Sequence, residues 1–477
     1  MSKTYHPDIV PALDMLIGDP DNLRPDAKQP RKADILHIPK NYIYRLHAFC
    51  HEQTNRGEAC GELAGLFSKI SEHIHIHETP YVCENGTQVV FEEVDPKFLP
   101  PESTINSTKG QAIAVASKLK EEGKNVAIMT GDDFTSTFAY LSGIDIAHIN
   151  PDVYIGRRQV VLPDHLSNMW FGEYDAARRK IPGKYLHEIQ GMSQPKANEF
   201  IEFYSDQPSD PTFSNIGRYD AETESIVGLK YLNQSRTYGI WPRNPGQAMM
   251  FEALMTPAEE APIVIISGIY GTGKTFLTTA CGIIQSEAGD YDGIFVCPRD
   301  GALGKEIGFL PGDANTKIRA KAKPIEDNVR EFSKIRGIIN KKDKDYHDTS
   351  KNSIVAKRNC LDRRVEETLE NYFEYEALIT MGGRSIANRY IIYDEFQDME
   401  RYQAKALLTR VGDSSKMVIL GDPEQQTNPH MNKTSNGLSY SASKLGGVRG
   451  VYVVTLNKEE IVRSQILCDI AARLEHR

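Results

Sequence analysis

Two hydrophobic rhythms alternate along the C-terminal part of this 477-residue chain. Short apolar, largely β-branched runs read as strands buried on both faces: Pro262-Ile263-Val264-Ile265-Ile266-Ser267, Tyr390-Ile391-Ile392-Tyr393 and Met417-Val418-Ile419-Leu420. After the first of them, Phe276 to Ile284 reads as the opening of a helix. From about residue 238 to 477 this alternation predicts a parallel α/β sheet covered on both faces. Residues 1 to 150 mix the two signals. Lys109 to Glu122 has helical spacing, Asn125 to Thr130 reads as a strand, and Asp132-Asp133 follows it directly. Residues 151–237 have another texture. Runs such as Gln159 to Leu162 and Phe200 to Tyr204, separated by Gly, Pro, Asp and Asn, predict a small β-rich linker module. His73-Ile74-His75-Ile76-His77 alternates with period two, which predicts a strand with three imidazoles on one face. A solvated polar face is favoured there over a metal site, because no carboxylate or cysteine completes a ligand set.

A chain of this length exceeds one core, so two or three domains are expected. With 25% charged and 40% hydrophobic residues it has an ordinary globular balance. The net charge of −9 does not announce a nucleic-acid binder, although a local basic stripe can serve on an acidic protein. No apolar run approaches the ~18 residues of a membrane span, and the first residues lack the apolar core of a secretory signal. Seven cysteines without paired spacing suit reduced thiols in a cytoplasmic setting.

The strongest chemical signal is Gly268-Ile269-Tyr270-Gly271-Thr272-Gly273-Lys274-Thr275, a G-x-x-x-x-G-K-[ST] loop between a predicted strand and a predicted helix. Glycines let backbone N–H groups curl round phosphate oxygens, and the helix N-terminus adds a favourable dipole. Lys274 is expected to hold the β- and γ-phosphates, Thr275 to ligate Mg²⁺, and the loop with Phe276 to form the nucleotide cradle. Asp394-Glu395 ends an apolar strand, which suits Asp394 to Mg²⁺ and Glu395 to polarising a water. Gln425, after Gly421-Asp422-Pro423, is a candidate sensor of the γ-phosphate. Arg243 and Gln247 lie about one helix before the loop, where a glutamine amide can both donate to and accept from an adenine edge. Arg384, Arg410 and Arg463 are candidates for meeting charge that builds on the γ-phosphate. Residues 317–364 are locally basic, and Lys341, Lys342 and Lys344 sit in a stretch that reads as a surface insertion able to track phosphates.

Together these strings resemble the PhoH family of P-loop ATPases, with a RecA-like core related to superfamily 1 helicases. The likeness runs from about Gly239 to the C-terminus. It takes in Pro242-Arg243-Asn244, the phosphate loop, Gly308-Phe309-Leu310-Pro311-Gly312-Asp313, Asp394-Glu395-Phe396-Gln397, Gly421-Asp422-Pro423 and Arg463-Ser464. Phe396 and Gly382 depart from the family's usual alanine and arginine. The resemblance implies ATP hydrolysis with Mg²⁺, a ring-shaped homo-oligomer, commonly a hexamer, and remodelling of single-stranded RNA or DNA. It also points to Arg463 and Arg410 as the arginines near the γ-phosphate, without saying which acts across a subunit boundary.

Residues 1–150 resemble the PIN domain of the two-domain members through Met15 to Pro20, Asn55 to Glu58, Thr130-Gly131-Asp132 and Gly143-Ile144. PIN nucleases cluster carboxylates around divalent ions. Here Ala12 stands at the first acidic position, Asp14 at that of a polar partner, Tyr44 or Arg45 at the helix position and Lys109 or Gly110 at a third; Asp132 and Asp133 remain. The expectation is a degenerate PIN-like domain serving as a substrate clamp or protein-partner platform. The rivals are an active ATP-dependent ribonuclease and a nucleotide-switched scaffold.

Overall fold

The apolar, β-branched runs of the C-terminal region form strands of a six-stranded sheet in which every pairing is parallel. The computed structural model describes residues 8–13, 16, 33–50, 55–83, 86–101, 103, 105, 107–130, 133–147, 154–190, 192–204, 213–297, 322–339, 353–375, 386–399, 401–427 and 436–462. The chain divides into two compact units, Met1–Asp152 and Val153–Arg477.

In the first unit the strands are β1 (Asp8–Pro11), β2 (Ile35–Pro39), β3 (Tyr81–Val82), β4 (Gln88–Glu92), β5 (Val126–Met129) and β6 (Asp145–Ile146). The helices are α1 (Tyr42–Cys50), α2 (Asn55–His77), α3 (Thr108–Glu121) and α4 (Asp133–Leu141). The sheet order is β3-β4-β2-β1-β5-β6, parallel except at β3–β4. Alternation along β1 sends Ile9 into a core with Leu63 and Phe67 of α2, and Val10 into one with Val115 and Leu119 of α3. This is an α/β layer with helices on both faces.

The histidine run corrects the period-two reading. His73, His75 and His77 close the 23-residue helix α2. Its buried stripe is Cys60, Leu63, Phe67 and Ile70, spaced by three and four residues. His73 and His77 therefore stack one turn apart, with ring centroids 4.6 Å from each other, while His75 points elsewhere on the helix. Five alternating residues were too short a window beside that longer period.

Tyr42 ties three places in this unit together. Its hydroxyl lies 3.1 Å from the Pro11 carbonyl and 3.4 Å from that of Thr108. The carboxyl end of β1 with buried Ala12, the first turn of α1 with exposed Tyr44 and Arg45, and the start of α3 with Lys109 thus converge. Asp14 and Asp132 fall outside the described residues, as does the Asp133 side chain.

The second unit opens with a five-stranded sheet: β7 (Arg157–Val160), β8 (Lys180–Pro182), β9 (Phe200–Phe203), β10 (Ile216–Asp220) and β11 (Ser225–Gly228), ordered β7-β9-β10-β11-β8. Helix α5 (Asp164–Phe171) brings Trp170 into its core against Phe203. The P-loop part follows: α6 (Pro245–Met255), β12 (Ile263–Gly268), α7 (Lys274–Ala288), β13 (Ile294–Cys297), α8 (Lys323–Ile339), α9 (Ser353–Tyr372), β14 (Phe373–Tyr375), β15 (Tyr390–Tyr393), α10 (Arg401–Leu408), β16 (Lys416–Gly421), α11 (Gly437–Leu445) and β17 (Val451–Leu456).

Strand order β14-β13-β15-β16-β12-β17 gives the doubly wound architecture expected of a RecA-like fold. Its even-numbered and odd-numbered inward positions feed two cores on opposite faces, one holding Val264 and Ile266, the other Ile265. The β-rich module covers the open edge at β17. Asn198 Nδ2 donates to the Val451 carbonyl at 3.2 Å, and a Cβ on Gly156 would stand 1.8 Å from the Val453 carbonyl oxygen. Only glycine permits that approach, and at φ 74° only glycine adopts it readily.

Candidate nucleotide site

Because the sheet is parallel, the loops leaving β12, β15, β16 and β17 gather at one edge. After β12 the backbone turns through Gly271 (φ 78°) and Gly273 (φ 87°), both left-handed, and enters α7 at Lys274. The Thr272 hydroxyl braces the turn by donating to the Ile269 carbonyl at 2.8 Å. Lys274 Nζ folds back over the loop, 2.6 Å from the Gly268 carbonyl oxygen and 2.9 Å from that of Ile269. The ammonium group is held at the mouth of the loop, where it can meet a phosphate oxygen.

Thr275 and Asp394, 119 positions apart, meet here: the threonine hydroxyl donates to the carboxylate at 3.0 Å. β16 lies between their strands, so only tertiary assembly creates the contact. Burial, then the neighbouring charge of Glu395, push the Asp394 carboxyl up to about 6; the Thr275 hydroxyl, the Glu395 N–H and Lys274 oppose the shift. A buried carboxylate beside a hydroxyl is an all-oxygen donor set suited to Mg²⁺, and a cation would relieve the penalty that raises Asp394. The residues present therefore fit a Mg²⁺-nucleotide.

Glu395 adopts a left-handed backbone (φ 56°), rare for a residue with a side chain and concentrated at functional sites. Its carboxylate accepts from Gln397 Nε2 at 2.6 Å. The other end of the same amide accepts the Asp422 N–H at 3.0 Å. Asp422 in turn takes N–H bonds from Glu424 and from Tyr270 inside the phosphate loop; burial raises its carboxyl, with these bonds and Lys274 opposing. Gln397 is fully buried, and a Cβ on Gly421 would stand 2.1 Å from its Oε1. Gln397 and Asp422 gain these roles from contacts that no local pattern in their segments marks. The one trace is glycine at 421, which leaves room for the amide that joins the two strand ends.

The remaining candidates are placed unevenly. Gln247 is buried and already engaged: Oε1 accepts the Arg243 N–H at 2.9 Å, and Nε2 donates to the Thr272 carbonyl at 2.9 Å. It braces the phosphate loop as well as lying beside it. Arg243 is exposed, Phe276 is half-buried against the main core, and Gln425 is exposed on the turn after β16. Arg410 is not brought to the loop of its own chain. Its carbonyl accepts the Ile386 N–H at 3.2 Å, at the amino ends of β15 and β16. Four strand residues at about 3.3 Å each put it ~13 Å or more from Asp394 along the sheet. Arg384, Arg463, Lys341, Lys342, Lys344 and the Gly308 to Asp313 string lie outside the described residues.

Comparison with known proteins agrees with this geometry. The family described as PhoH-like protein matches residues 239–475, the segment that carries the loop, both acids and the parallel sheet. The C-terminal half of the chain belongs to the PhoH family. Among curated relatives, Protein PhoH2 of Bacillus subtilis is 29% identical over 343 residues, 70% of each chain. Protein PhoH2 of Thermobispora bispora is 29% identical over 407 residues, covering 84% of this chain and 83% of the relative. A PhoH-like protein of Synechocystis is 29% identical over 208 residues, 44% of this chain and 55% of its own. The Thermobispora match is longer than the second unit, so it extends into the first. No described helix is long and apolar enough to cross a membrane.

Proposed function

We propose that this chain is an ATP hydrolase that remodels single-stranded nucleic acid, RNA foremost, in the manner of a helicase. The contact between the Thr275 hydroxyl and Asp394, beside the lysine-bearing loop, carries the reading. Thr275 and Asp394 would hold Mg²⁺, whose role is to neutralise charge on the β- and γ-phosphates. Lys274 exchanges its loop carbonyls for phosphate oxygens. Glu395, held by Gln397, orients and polarises the attacking water. The Asp422–Gln397–Glu395 chain gives loop movement a path to the water-positioning acid. Arg410 lies at the far edge of the sheet, so if it serves the γ-phosphate it does so from an adjacent subunit, which suits a ring.

The basic segment around residues 317–364 supports a grip on nucleic-acid backbone. At the N-terminal unit, Ala12, Tyr44 and Lys109 lie near Tyr42 and are uncharged or cationic at positions that the PIN resemblance reserves for carboxylates, with Asp132 and Asp133 the acids that remain; this supports a clamp or platform over cleavage. The test is ATP turnover with and without single-stranded RNA and DNA, beside a Mn²⁺ cleavage gel, using wild type and Lys274→Ala. Strand-stimulated turnover that Lys274→Ala abolishes, with intact RNA on the gel, is expected. Undiminished turnover in Lys274→Ala would refute the site. Unstimulated turnover without strand binding would favour the scaffold, and cleavage lost with Asp132→Asn the ribonuclease.

A further inference from the structure

The β-rich module does more than cover a sheet edge. Arg157 on β7 reaches 303 positions along the chain to Glu460: Nη1 lies 3.0 Å from both carboxylate oxygens. Its Nη2 donates to Glu202 of β9 at 2.9 Å, so one guanidinium joins the module to the segment after β17. Glu460 is buried and saturated. Oε1 accepts the Gly246 N–H at 2.6 Å and Oε2 the Asn457 N–H at 2.7 Å, while its carbonyl accepts Asn244 Nδ2 at 2.8 Å. A Cβ on Gly246 would stand 2.6 Å from Glu460 Oε2, so that glycine is needed for the contact.

Two routes then lead from Glu460 to the phosphate loop. In the first, Asn244 caps α6 by accepting the Gln247 N–H at 2.8 Å, and Gln247 Nε2 holds the Thr272 carbonyl at 2.9 Å. In the second, Val462, two residues beyond Glu460, donates to the Gly271 carbonyl at 3.0 Å. Gly271 and Thr272 are the turn of the cradle. A change at Arg157 thus arrives at the backbone that would enclose the phosphates, although Arg157 touches none of it.

The geometry points to Arg157 as a positioning residue for nucleotide binding, acting through Glu460 on the Gly271-Thr272 turn; this rests on the nucleotide-binding reading above. Without the guanidinium, Glu460 and Glu202 are two nearby buried carboxylates with their shared cation gone. Glu460 then loses the group that fixes its carboxylate between β7 and α6, and its hold on Gly246 and Asn457 loosens. The two acids that act on water and metal follow the carboxyl end of β15, on the far side of β12 and β16 from β17. The effect should therefore fall on binding more than on turnover.

The test uses the full-length protein, a fluorescent ADP titration, and steady-state ATP turnover. Arg157→Ala should raise the ADP Kd and the KM about tenfold, with kcat changed by less than about twofold. Arg157→Lys, which keeps a cation on Glu460, should recover most of the affinity. The control is Arg158→Ala on the same strand, which removes an ion pair to Glu199 inside the module and leaves Glu460 alone. It should leave Kd and KM unchanged. If Arg157→Ala folds poorly, Glu460→Gln carries the test and should raise Kd as well. Values for Arg157→Ala or Glu460→Gln equal to wild type, or an equal rise in Arg158→Ala, would overturn the inference. Failure of the wild type to bind ADP would instead refute the nucleotide reading itself.

Discussion

Replacing Asp394 by asparagine should stabilise the nucleotide-free protein while destroying its response to Mg²⁺-nucleotide. The carboxyl is raised from 3.8 to about 6 in the folded state, chiefly by burial and next by Glu395. The sign follows from which state holds the proton. Between those two values the folded protein binds more protons than the unfolded one, so stability falls as pH rises through that window. Above about pH 6 the full penalty remains, and two units at ~1.4 kcal/mol each make it about 3 kcal/mol. Asparagine carries no charge to bury, and its amide fits the same partners. Its oxygen can accept the Glu395 N–H, which lies 2.9 Å from Oδ1, and its NH₂ can donate to Thr275 Oγ1, because a hydroxyl also accepts. Thermal unfolding in EDTA at pH 7.5 should show Asp394→Asn melting about 6 °C above wild type, at roughly 2 °C per kcal/mol for a unit of this size. The difference should shrink to about half at pH 5, where wild-type Asp394 is largely protonated. Mg²⁺ and ADP should then raise the wild-type midpoint and leave the variant where it was. A variant that melts below wild type at pH 7.5, or a gap that does not depend on pH, would refute the argument.

Gln397→Leu should leave the buried Asp422 N–H without its acceptor and Glu395 without its donor, costing about 1–3 kcal/mol of stability by denaturant titration. It should also slow ATP turnover ~10-fold with little change in KM; a silent variant would remove Gln397 from the pathway. Glu395→Gln should retain nucleotide binding by fluorescence titration while hydrolysis falls about 100-fold or more, and rapid hydrolysis would take Glu395 out of its role. Neutralising Lys341, Lys342 and Lys344 together should weaken RNA binding and flatten its salt dependence by up to about three counterions. An unchanged slope would take that segment out of strand binding.

Some of this protein was legible in short windows of sequence. The phosphate loop could be read because its chemistry is local: glycines at 271 and 273, and the lysine and threonine that follow, act within one turn of one another. Asp394 and Glu395 were legible for a similar reason, since an apolar run ending in acids marks a strand end without reference to its neighbours. Continuous apolar, β-branched runs alternating with helical segments were enough for the parallel sheet, whose strands are apolar on both faces. Period misled at His73 to His77, where five alternating residues belong to a helix defined by the spacing of Cys60, Leu63, Phe67 and Ile70. What tertiary structure alone decided is how distant side chains share their groups. Gln397 joins Glu395 to Asp422, Gln247 holds the loop carbonyl of Thr272, Arg410 lies at the opposite sheet edge, and Arg157 reaches Glu460. A hydrogen bond needs partners within about 3 Å, and neither the order of strands in a sheet nor the face on which a module docks is written in the spacing of any one segment.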